Sequence, residues 1–138
     1  MHPGSLRSRI GDSVATWQDV KTYIYRNYVV HEDRGHLLVL LLDMDGGRSQ
    51  FVFVSGAPDS DLISISSPIG SVEVIDGNVL LSLSSNRVMG IRQTAGIYSV
   101  GAPVLLADLS ATLMDTLIAL IAEDADSYER DLGLGDRY

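Results

Sequence analysis

"HLLVLLLDMDGGRSQFVFV", His36 to Val54, reads as two β-strands around a tight turn, and the fold hangs on it. Asp45-Gly46-Gly47 supplies the turn, because glycine tolerates the positive φ that tight hairpins need. In a half-exposed hairpin, apolar and polar side chains alternate. Here Leu37, Val39 and Leu41 point one way, while Leu38, Leu40 and Leu42 point the other. Three Leu/Val side chains on the second face correspond to about 5–9 kcal/mol of burial at about 1.5–3 each. A whole domain is stable by only about 5–15 kcal/mol. Such a face needs a cover.

Upstream, Thr16 to Asp19 has the form of a capping box. Val14, Trp17, Val20, Ile24 and Tyr28 then follow at three- and four-residue spacing, which predicts a helix from about Ser13 to Asn27 with Trp17 toward the core. "YVVHEDRGHLL" adds a short strand that turns at Arg34-Gly35. Downstream, "DLISISSPI" is a strand carried by Leu62, Ile63 and Ile65, and Pro68 either ends its ladder or places it at an edge. "DGNVLLSLSSNRVMG" stays open: alternation of Val79, Leu81 and Leu83 allows a strand, while the Asn78 start and Gly90 stop allow a helix. "IRQTAGIYSVGAPV" gives two strands around Ala95-Gly96, the second fading near Pro103.

From Leu109 the apolar positions run Leu113, Leu117, Leu120, Ile121, Ala125, Tyr128 and Leu132, widened by Met114 and Ile118. Asp108 or Ser110 caps this long helix and Gly133 ends it. The sum is an α+β layer, an antiparallel sheet with helices packed mainly on one side.

A chain of 138 residues is expected to form one domain, residues 13–138, behind a flexible, polar leader over residues 1–12. Hydrophobic residues make up 46% and charged residues 20%, a globular balance. The formal net charge of −8 argues against nucleic acid and anionic membrane as partners. Its longest aliphatic run, Leu37 to Leu42, is far short of a membrane span, and the expected location is cytoplasmic. The absence of cysteine removes disulfides, thiolate metal sites and cysteine nucleophiles together, and Lys21 is the only lysine.

Candidate chemistry is sparse. The tail "AEDADSYERDLGLGDRY" is acidic, but Tyr128 and Glu129 stand where a calcium loop needs a ligand and a glycine. At helical spacing Asp126 and Glu129 share the solvent side, while Asp124 and Asp131 lie nearer the apolar stripe. His31 and His36 flank a turn without the convergent partners zinc requires. Neither a G-x-S-x-G elbow nor a phosphate loop is present. The expectation is no catalytic residue, no metal and no cofactor. A small-ligand sensor is the alternative, with a cavity between sheet and long helix offering Tyr23, Tyr25 and Gln50.

"ISISSPIGS", "NVLLSLSSNRVMGI", "GIYSVGAPV" and the closing "IAEDADSYERDLGLGDRY" together resemble the YbjN family, labelled bacterial sensory transduction regulators. That family is similar in fold to type III secretion chaperones. The resemblance implies a sheet of about five strands in the order α-β-β-β-α-β-β-α, with Asn78 to Met89 as helix. It also implies a non-enzymatic, chaperone-like homodimer engaging a client or regulatory protein. By position, the dimer contacts would be Val79, Leu80, Leu83, Met89 and Ile91. Client contact is expected on the outward side of the leucine-rich hairpin, assigned to Leu38, Leu40, Leu42, Val52 and Val54.

Overall fold

A computed structural model describes residues 15–87 and 89–134. The leader with Ser13 and Val14, Val88, and the closing Gly135-Asp136-Arg137-Tyr138 lie outside the described residues. Helix α1 spans Trp17–Asn27. Its capping box forms as expected, with the Asp19 amide donating to Thr16 Oγ1 at 3.2 Å and the Thr16 amide donating to Asp19 Oδ2 at 3.1 Å. Strands β1 (Val30–Asp33), β2 (Leu37–Asp43), β3 (Ser49–Ser55) and β4 (Leu62–Ser71) follow. Next come α2 (Gly77–Leu83) with a 3-10 turn over Ser84–Asn86, β5 (Gly90–Thr94), β6 (Ile97–Leu105) and α3 (Ala111–Asp131). The sheet is antiparallel throughout, in the order β1-β2-β3-β4-β6-β5. The expected α+β class stands, with short β1 making six strands and the ambiguous middle segment helical.

Pro68 sits in a central strand, yet it does end a ladder. The pairing of β4 with β3 covers only Ser64 to Ser66, while the pairing with β6 continues to Ser71 with an irregularity between Pro68 and Gly70. Side chains take over where the ladder stops. Buried Gln50 donates from Nε2 to Ser67 Oγ and to the Pro68 carbonyl, both at 2.9 Å, and Ser67 Oγ donates to the Phe51 carbonyl.

Cross-strand register puts Leu38, Val54, Ile65 and Ala102 in one row and Leu40 with Val52 in the next. This face meets α3, which lies mainly across β4 and β3. Trp17, Val20 and Ile24 of α1 and Leu80 of α2 enter the same core. The apolar stripe of α3 is rotated from expectation. Met114, Ile118, Ile121, Ala122, Ala125 and Tyr128 are buried, while Leu120 is exposed. That rotation carries Asp126 and Glu129, expected on the solvent side, into the interior. Arg48 compensates Asp126, its Nε 2.6 Å from the carboxylate, and Arg130 approaches at 3.4 Å. Ser110, not Asp108, caps α3, accepting from the Leu113 amide at 3.0 Å. Gly133 at φ 70° then lets the Leu134 amide reach back to the Glu129 carbonyl at 2.9 Å and close the helix.

Candidate partner-binding surfaces

Because side chains alternate, the strand residues not facing α3 line the sheet's outer face. Leu37, Val39 and Leu41 of β2 stand there beside Ser55, Phe53 and Phe51 of β3. They shield one another: Val39 is buried and the rest are half-buried. His31 of β1 adds to the shield, its ring 5.1 Å from that of Phe51 at a tilt of 54°. Toward one end of this face Leu62 and Leu105, paired across β4 and β6, are 46% and 49% exposed.

The outward set is therefore the opposite of the expected one. Leu38, Leu40, Val52 and Val54 are fully buried, and Leu42 packs at the margin of the core. Both sets in β2 are equally apolar, so strand parity alone does not tell which set the helices cover. The position of α3 makes that choice.

The second apolar surface is the crest of α2. Val79 is 46% exposed and Leu81 is 62% exposed, with Val74 just upstream also bare. Leu80 points down into the core, so the structure removes it from any contact surface, and Leu83, Met89 and Ile91 are half-buried against that core. Asp76 caps α2 by accepting from the Asn78 amide at 2.8 Å. Arg87 fastens its far end to α3. The guanidinium donates to the Leu83 carbonyl at 2.8 Å and to Ser127 Oγ and Asp131 Oδ2, both at 2.6 Å, and lies 4.2 Å above the Tyr128 ring. The Met89 amide adds a bond to Asp124 at 3.3 Å. Nothing in the sequence pattern marks Arg87, whose partners are 40 and 44 residues away.

Tyr23, Tyr25 and Gln50 do not converge. Tyr23 and Tyr28 both donate to Asp115, at 2.8 and 2.6 Å, tying α1 to α3. Burial, and then the Asp115 carboxylate, pushes the Tyr23 hydroxyl up to about 12 and raises Tyr28 further still. Tyr25 donates to Asp33 at 2.7 Å, and that bond, helped by the Gly35 amide and Lys21, holds the Asp33 carboxyl below its ordinary range. Gln50 is used up stitching β3 to β4. Trp17 is a core residue whose Nε1 donates to the Gly35 carbonyl at 2.8 Å. Among the described residues, no three His, Asp or Glu side chains are grouped to hold a metal, and no helix is long and apolar enough to cross a membrane.

No protein-family model matches the chain, and no curated protein matches it. Solved structures do. A chain of the ExsC–ExsE complex is 17% identical at a TM-score of 0.52, covering 72% of this chain and 78% of its own. A chain of the HopA1–SchA chaperone–effector complex is 11% identical at a TM-score of 0.51, covering 88% of this chain and 94% of its own. The fold is thus type III secretion chaperone-like.

Proposed function

We propose that this chain is a non-catalytic, chaperone-like protein that works as a homodimer and engages a client or regulatory protein through apolar surface. The proposal rests on the one-sided helix layer: the outer sheet face and the α2 crest keep Leu37, Phe53, Val79 and Leu81 without cover from the described helices. The net charge of −8 suits contact with protein better than with nucleic acid or anionic membrane. The fold carries function only by analogy, and the analogy points the same way, since one of the similar chains belongs to a chaperone–effector complex. Val79, Leu83, Met89 and Ile91, joined by Leu81, form the proposed dimer contact, and the outer face is the client surface. Membership of the YbjN regulators and a cytoplasmic location belong to the same proposal.

Light scattering at micromolar concentration is expected to give twice the 14.9 kDa chain mass. Leu81→Arg is expected to return it to the monomer by placing an unpaired charge in an apolar contact. For the client surface, affinity capture from native extract with the parent and with Phe53→Ser tests the assignment. A partner kept by the parent and lost by the variant is the expected result, and equal capture by both would sink the outer-face assignment.

A further inference from the structure

The outer face is not uniformly apolar. Between its two greasy ends runs a groove of about 580 Å³. Leu37 and Phe53 wall one side, Ile97 the other, and Ser64, Ser66 and Ser99 line the floor. Small side chains make it concave. Ser66 of β4, Gly101 of β6 and Gly90 of β5 stand in one cross-strand row, and a Cβ on Gly101 would lie only 2.5 Å from the Ile65 carbonyl oxygen.

Arg92 projects into this groove from edge strand β5. Its Nη1 donates to Ser64 Oγ of β4 at 2.8 Å, so the side chain reaches across β6, the strand that lies between β5 and β4. Arg34 also lines the groove and is ion-paired with Glu32. The lining includes no aspartate or glutamate, in a chain with 18 of them and a net charge of −8. A guanidinium offers five N–H donors in a planar fork that matches a carboxylate. Held between aromatic and aliphatic walls, that pairing is screened less than it would be in open water.

We propose that this groove takes an extended segment of a partner protein that carries a carboxylate side chain between apolar ones, the carboxylate seating on Arg92 beside Ser64. The inference rests on the protein-binding role proposed above and names the chemistry its outer face selects. Charge complementarity points to an acidic group. Length points to a chain segment, because apolar ground continues past the groove to Leu62 at one end and Phe51 at another. The floor strand from Leu62 to Pro68 alone is about 20 Å long, the span of roughly six extended residues.

Selection of random octapeptides displayed on phage against the immobilised full chain tests this. Winners are expected to carry aspartate or glutamate flanked by apolar residues. In fluorescence anisotropy, a labelled winner is expected to lose about tenfold in affinity on Arg92→Gln, and about the same when its acid is replaced by the amide. The two changes combined are expected to cost little more than either alone. Ser64→Asp, which gives Arg92 an internal carboxylate, is expected to weaken binding as well and serves if Arg92→Gln folds poorly. Winners without acidic enrichment, or affinities within twofold in both variants, overturn this inference alone. Displacement by decanoate more potent than by the unlabelled peptide also overturns it, in favour of a small amphiphile. A selection that yields no winners counts against the protein-binding role itself.

Discussion

Asp126 is buried on α3, 78 residues from the arginine that compensates it. Arg48→Ala is expected to destabilise the protein by about 3 kcal/mol, because it leaves a carboxylate in the interior with only the longer contact to Arg130. Replacing the pair together, Arg48→Met with Asp126→Leu, is expected to recover most of that loss; urea midpoints at constant m-value decide it. The Tyr23 and Tyr28 hydroxyls set an alkaline limit. Their folded pKa values are raised, so what they contribute is fully present below the ordinary tyrosine range near 10 and is lost as pH rises, through about 12 for Tyr23 and at higher pH for Tyr28. Between pH 9 and 11.5 the urea midpoint is expected to fall, and to fall less steeply in Tyr23→Phe. Such pairs were not legible in the sequence. Asp115 looks like any solvent-facing helix acid until α1 is laid against α3.

At the scale of elements, local chemistry was largely readable. The Thr16 box, the glycine hairpin and the Ser110 start all form as their residue types dictate. Ala95-Gly96 turns with φ of 52° and 79°, the double positive φ of a type I′ hairpin. Gly101 shows what the element pattern hides. Its missing Cβ lets β6 approach the backbone of β4, with Ser66 Cα only 3.0 Å from where a Cβ would be. Gly101→Ala is expected to cost about 1–3 kcal/mol by forcing these central strands apart, with exchange of the β4 and β6 amides accelerated more than that of α1. A glycine in a strand signals a close approach, but only the register names the neighbour.

Across the whole molecule, layer placement governs what is left to bind. The three described helices gather on one side, so the sheet's outer face and the α2 crest become the surfaces available to partners. If the crest joins two copies, the thermal midpoint is expected to rise with protein concentration over a hundredfold range, since dissociation accompanies unfolding. In Leu81→Arg that dependence is expected to vanish, while the stability of the monomer barely changes because Leu81 is mostly exposed. A midpoint independent of concentration in the parent chain would remove the dimer from the proposal.

The amino-acid order by itself determined where most helices and strands form, the α+β class, and the presence of grease on both faces of the leading hairpin, because propensity, capping and two-residue alternation act locally. The hairpin alternates between two equally apolar sets, and nothing within it breaks the tie. Only tertiary packing decided that Leu38, Leu40, Val52 and Val54 are core and that Leu37, Leu41, Phe51 and Phe53 face outward. It likewise rolled α3 far enough to draw Asp126 inside and leave Leu120 out. Which face a helix covers depends on contacts between residues far apart in the chain, and those do not exist until the layers meet.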